Sequence, residues 1–188
     1  MEHVNSNNNN SKTWHDMESM VQKDLVREIG ICNFNTALIR QVCNTAIILP
    51  RAIQIERHPL LIQSKLLRCC REAGMEIMAF SPLGGRSYIP LDMAHVDEDL
   101  LNCQLVYKIA LSHKKSPAQI LLRWSLQSGT TPICKTSSLE RLEENLNVLD
   151  FQLKPSEMNS LNGMDIGRRF NDPGEFTQSF GCFCPIYD

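Results

Sequence analysis

Long apolar runs are missing from this chain. No stretch approaches the ~18 consecutive apolar residues that mark a membrane-crossing helix, and the opening MEHVNSNNNNSK lacks the apolar core of a secretion signal. An excess of either charge is missing too: 19 basic residues face 21 acidic ones, a formal net charge of -2. Such a balance offers no general attraction to nucleic acid or an anionic membrane surface. No G-x-G-x-x-G follows any strand-like segment, which argues against a dinucleotide-binding Rossmann unit. No internal repeat is strong enough to indicate a solenoid. The eight cysteines are Cys32, Cys43, Cys69, Cys70, Cys103, Cys134, Cys182 and Cys184. They fall mostly inside regular segments and lack the loop-rich setting of a secreted disulfide framework. They read as buried free thiols. Cys182-x-Cys184 has no second pair to complete a zinc site, so no metal is expected. What is present is a globular composition, 43% hydrophobic over 188 residues. That suits one cytoplasmic domain with a real core.

Helix- and strand-like segments alternate. Residues 1–12, with the asparagine run 7–10, read as disordered. Thr13 is placed to cap a helix whose apolar positions Trp14, Met17, Met20, Val21 and Leu25 recur at three and four. REIGICNF reads as a strand ending at Asn33, and Thr36–Thr45 as a helix. AIQIERHP is a strand stopped by Pro59. IQSKLLRCCREAG is a helix closed by Gly74, and MEIMAFSP a strand stopped by Pro82. A loop, 83–90, leads to helical patterns near 97–112 and 117–127. A fourth strand, 131–134, is followed by a helix. The tail, 154–188, reads as loop with one short helix. Repeated strand-helix alternation predicts a parallel α/β sheet with right-handed crossovers, either doubly wound or a (β/α)₈ barrel.

In such folds function gathers at the C-terminal strand ends. This chain offers Cys32-Asn33, Gln54, Phe80-Ser81 and Lys135-Thr136 there, groups suited to holding a ligand. Ser137 and Glu140 match a capping box that would start the last helix at Ser137. Helix N–H groups, Lys135 and Arg141 would then form a phosphate site. The alternative is that both cations are solvated and pair with Glu140 or Glu143. Asn33 and Gln54 could hold a carboxamide or simply be satisfied loop residues. Phe80 could stack on a flat ring or pack in the core.

VREIGICNFN, IQIERHPLL, AFSPLG and PICKTSSLERLEENLNVLDFQL resemble, in order and spacing, successive blocks of the aldo-keto reductases. The tail RRFNDPGEF…PIYD is similar to that of the aldose and xylose reductase branch. The resemblance implies an incomplete (β/α)₈ TIM barrel: roughly strands five to eight in residues 13–153, then a C-terminal tail, 154–188. It also implies an oxidoreductase cofactor, NADP(H), and a carbonyl substrate. By the same resemblance Cys32, Asn33 and Gln54 match the residues holding the nicotinamide carboxamide. Phe80 stands where a tyrosine usually stacks on the nicotinamide. Ser81 and Leu83 match the pyrophosphate-spanning stretch. Lys135, Thr136 and Arg141 match the grip on the 2′-phosphate, and Glu144 and Asn145 the adenine contacts.

Departures accompany the match. Cys32 replaces a usual serine, Ile53 an asparagine and Cys134 a proline. No residue matches the family's catalytic aspartate, tyrosine, lysine and histidine, and Tyr88, Tyr107 and Tyr187 lie outside the catalytic context. The expectation is a truncated chain that keeps the cofactor-binding half and is inactive alone. Its edge strands, at REIGICNF and TTPICK, would drive self-association or capture of a complementary half-barrel, making it an interaction module in the alternative reading.

Overall fold

The computed structural model describes residues 6–181 and Tyr187. Helix α1, Ser6–Gln22, is anchored by two side chains. The buried Glu18 carboxylate accepts the backbone N–H groups of Ile47 (2.7 Å) and Ile48 (2.9 Å), and the Trp14 indole donates to the Ile48 carbonyl at 3.0 Å. Thr13 therefore lies inside α1 instead of capping it, and α1 begins at Ser6, within the stretch 1–12 that was expected to be disordered. Extending an anchored helix costs far less than nucleating one, so the polar run is carried along. Residues 1–5 lie outside the described residues.

Four short strands alternate with helices: β1 Gly30–Cys32, α2 Thr36–Thr45, β2 Ala52–Glu56, α3 Ser64–Glu72, β3 Glu76–Phe80, α4 Gln104–His113, α5 Pro117–Gln127, β4 Thr131–Pro132 and α6 Leu139–Leu146. Helix α2 matches its sequence boundaries, with Asn35 accepting the Leu38 N–H as N-cap. Gly74, at φ +72°, supplies the left-handed turn expected after α3. Strand β1 pairs parallel to β2, with Ile31 opposite Ile53, and β3 pairs parallel to β4, with Met78 opposite Thr131. The strand order is β1-β2-β3-β4. A doubly wound sheet reverses its order at a switch point. Here every crossover joins neighbours, which is the winding of (β/α) barrels.

The chain divides into two compact units. One comprises the residues up to Gln54 with Lys65–Ile77, the other Ile55–Ser64 with everything from Met78 onward. The first buries Trp14, Ile31, Ile39, Val42, Ile53 and Leu67. The second has a core of Leu100, Val106, Ile109, Ile120, Leu121, Trp124, Leu153 and Leu161. Burying each such side chain fully contributes about 1.5–3 kcal/mol. Before α4, residues 96–102 form two 3₁₀ turns, Val96–Glu98 and Leu100–Asn102, where the sequence pattern suggested continuous helix. Asp99 ends one turn and caps the next by accepting the Leu101 N–H at 3.0 Å.

The described part of the tail belongs to the second unit and holds two short α-helices where one was expected, α7 Pro155–Asn162 and α8 Pro173–Phe176. Glu56, with no exposed surface, ties the tail down. Its carboxylate accepts the backbone N–H groups of Phe170 (2.8 Å) and Asn171 (2.9 Å), while His58 Nε2 lies 3.0 Å from Oε1.

Two further expectations change. Among the described residues the six cysteines are free thiols, yet only Cys70 is buried and Cys32 is exposed; Cys182 and Cys184 lie outside the described residues. Burial pushes the Cys70 thiol up to about 11, so it stays protonated and inert at neutral pH. Strand β4 stops at Pro132, short of the expected Cys134, and that proline carries no N–H to offer a further strand. No described helix is long and apolar enough to cross a membrane.

Candidate functional site

Eight of the eleven residues expected at the site lie in the second unit, and all eight line one open cleft of about 800 Å³: Phe80, Ser81, Leu83, Lys135, Thr136, Arg141, Glu144 and Asn145. Two loops build it, one after β3 and one between β4 and α6. Phe80 ends β3, its carbonyl held by the Arg57 N–H at 3.1 Å, and is half-buried. Ser81 follows at φ +50°, a left-handed conformation uncommon for a side chain-bearing residue and concentrated at functional sites. Its hydroxyl lies 2.8 Å from the Tyr88 hydroxyl. Desolvation pushes the Tyr88 phenol above its ordinary range, so Tyr88 is a poor proton donor.

On the other wall the helix start differs from the expected capping box. Thr136 Oγ1 accepts the Ser138 N–H at 3.2 Å, closing a small turn. That turn leaves Ser138 extended, and it is Ser138, one residue beyond Ser137, that caps α6 by accepting the Arg141 N–H at 3.3 Å. The Thr136 hydroxyl is thus engaged by the backbone. Lys135 and Arg141 are exposed, and among the described residues neither forms an ion pair, with Glu140, Glu143 or any other carboxylate. The Gln119 amide of α5 donates to the carbonyls of Glu144 (3.1 Å) and Asn147 (2.9 Å), which fixes the C-terminal half of α6 against α5.

Cys32, Asn33 and Gln54 lie in the first unit. Asn33 directly follows β1 at φ +57°, and its N–H donates to the Gln54 carbonyl at 2.9 Å. The left-handed residue after β1 parallels Ser81 after β3. No described cluster of histidine, cysteine or acidic residues is arranged to hold a metal.

The cleft also includes residues that the sequence did not single out, Arg86 and Ser87 on the first loop and Ser116 and Ala118 at the start of α5, together with Ser137, expected only as a helix cap. The available signal was Gly84-Gly85-Arg86, a cation behind a glycine pair just past a strand end.

A parallel α/β chain wound as neighbours, with its cleft at the strand ends, defines the class. Within it, the chain belongs to the aldo/keto reductase family, whose pattern matches residues 3–166. The match begins before Thr13 and stops short of the RRFNDPGEF tail. The chain is 38% identical over 178 residues to the NAD(P)H-dependent D-xylose reductase of Aspergillus niger, covering 94% of this chain and 54% of that protein. It is 39% identical over 163 residues to the NADPH-dependent D-xylose reductase of Candida boidinii, covering 86% and 51%. Among solved structures, the aldose reductase of Schistosoma japonicum superposes with a TM-score of 0.81 at 32% identity, over 100% of this chain and 56% of that one. The chain spans about half the length of the curated relatives it matches.

Proposed function

We propose that this chain is the cofactor-binding part of an NADP(H)-dependent carbonyl reductase. The observation that carries the reading is the convergence of eight expected residues on one cleft. The donor set suits a phosphorylated dinucleotide: on one wall two exposed cations, Lys135 before α6 and Arg141 in its first turn, without carboxylate partners among the described residues, and on the other an aromatic face and a hydroxyl. Lys135 and Arg141 would hold the adenosine 2′-phosphate, Arg141 through its planar fork. Ser137 and the first turn of α6 would add hydroxyl and backbone donors. Glu144 and Asn145 would contact the adenine, Ser81 and Leu83 the diphosphate, and the Phe80 ring the nicotinamide. Cys32, Asn33 and Gln54 keep the carboxamide role on the family pattern. When bound, NADPH supplies the hydride for a carbonyl carbon.

The substrate class follows from relatives whose names specify D-xylose, an aldose. Reduction also needs a placed proton donor. Tyr88 lies outside the family's catalytic context, is hydrogen-bonded to Ser81 and is pushed away from acidity, and by the resemblance no residue of this chain matches the family's acid. The purified chain should therefore bind the dinucleotide without reducing xylose or glyceraldehyde. Absorbance at the reduced nicotinamide band checks this, and turnover within tenfold of an ordinary family member would overturn it. Calorimetry with NADPH and NADH tests the binding itself. The chain should prefer NADPH, and Lys135→Ala or Arg141→Ala should remove the preference, since a charge-assisted hydrogen bond contributes roughly 1.5–3 kcal/mol. Equal affinities in the unmutated chain would rule the site out.

A second reading, an interaction module, is supported by α6. Leu139, Leu142 and Leu146 recur at three and four along it, and all are exposed, as is Leu149 beyond its end. A stripe of that kind suits association with a second copy of the chain.

A further inference from the structure

We propose that Arg86 is a third cation of the cleft and grips the diphosphate that NADP and NAD share; this rests on the nucleotide reading above. Arg86 lines the same cleft as Lys135 and Arg141 but reaches it from the opposite loop. Its guanidinium is mostly exposed. Nε lies 3.5 Å from Oδ2 of Asp99, whose side chain is almost wholly buried. Asp99 cannot swing away, because Oδ1 accepts the Leu101 N–H (3.0 Å) and Oδ2 accepts the Asn102 amide (2.9 Å). Among the described residues Arg86 makes no other ion pair or side-chain hydrogen bond. The terminal nitrogens of its fork stay available for a planar, multidentate contact with phosphate oxygens.

The backbone beneath Arg86 is equally fixed. Gly84 sits at φ +80°, and a Cβ there would come within 2.6 Å of Leu100; a Cβ on Gly85 would come within 2.8 Å of the Phe170 ring. The loop therefore lies flush against both side chains, and a Cβ at either position would force one of them to shift. Tyr88, two residues on, stacks on Phe170 with ring centroids 5.5 Å apart and bonds Ser81. Phe170 is itself held by Glu56 through its N–H. A cation presented from a rigid base loses little freedom on binding, so more of its interaction appears as affinity.

The two loops divide the ligand's charge. Lys135 and Arg141 read the 2′-phosphate, which NAD lacks; Arg86 reads the group both dinucleotides carry. Calorimetry with three probes, NADPH, NADH and adenosine 2′-monophosphate, separates them. Arg86→Ala should weaken NADPH and NADH by the same factor, roughly 10-fold or more, and leave adenosine 2′-monophosphate unchanged. Lys135→Ala should weaken NADPH and adenosine 2′-monophosphate while sparing NADH. Arg86→Lys, which keeps the charge and loses the fork, should fall between wild type and Arg86→Ala. The proposal is overturned if Arg86→Ala changes NADH affinity less than twofold, or weakens NADPH alone. Wild-type chain that binds none of the probes would sink the nucleotide reading and this proposal together; wild-type binding with an unaffected Arg86→Ala would sink this proposal only. Because the side chain is mostly exposed, the variants should melt with the wild type, and a matched melting curve verifies that the comparison is between folded proteins.

Discussion

Glu56 ties strand β2 to the tail through a carboxylate with no exposed surface. Burial alone would push its carboxyl up, but hydrogen bonds with His58 and from the N–H groups of Phe170 and Asn171 outweigh that and hold it below the usual carboxylate range. Glu56→Ala would orphan two backbone donors in the interior and should cost roughly 3 kcal/mol or more, read from the urea midpoint. The pH dependence has a definite sign. A carboxyl whose folded pKa is depressed adds stability that is fully present above its unfolded value and is lost as pH falls through the folded one. Glu18, Glu98 and Glu157 are depressed as well, Glu98 foremost by its hydrogen bond with Arg168. The melting temperature should therefore hold from pH 7 to about 5 and fall steadily below about 4.5, with Glu56→Gln showing a shallower fall. A flat profile down to pH 3 would contradict this account.

At the level of the element, α6 tests how a helix start is chosen. Both Ser137 and Ser138 are good caps by type, and Glu140 favours Ser137 by the capping-box rule. The structure selects Ser138 because the Thr136 hydroxyl takes the Ser138 N–H and turns the chain one residue later. Ser138→Ala should cost about 1 kcal/mol, and Ser137→Ala close to nothing, in parallel urea titrations. Reversed costs would restore the capping box. The same displacement puts Arg141 at the third helical position with its backbone N–H satisfied and its side chain open to the cleft.

For the whole molecule the open question is association. The sheet order ends on β1 and β4, and α6 carries its exposed leucines just beyond β4. Pro132 blunts the β4 edge, so the leucine stripe becomes the larger driver. Size-exclusion chromatography with light scattering should show dimers or larger species, and Leu142→Glu with Leu146→Glu should shift them toward monomer. A monodisperse wild-type monomer that melts cooperatively and binds no hydrophobic dye would refute the association.

Periodicity and punctuation were enough to locate the elements. Leu38, Ile39 and Val42 on one face marked Thr36–Thr45 as α2, and Pro59, Gly74 and Pro82 marked where segments end, because these signals act within a few residues of chain. The same locality let the strand-end residues Phe80, Ser81 and Lys135 be named as candidates. Distant contacts decided the rest. Trp14 and Glu18, fastened to Ile47 and Ile48, carried α1 back through the asparagine run, and Thr136 moved the α6 cap. The packing of Gly84 and Gly85 on Leu100 and Phe170 brought Arg86 to the cleft. Winding between neighbours, which separates a barrel-type sheet from a doubly wound one, also appeared only in the strand order. Local propensity is written in adjacent residues, whereas pairing partners and buried anchors depend on segments tens of residues apart meeting in space, and no pattern along the chain encodes that meeting.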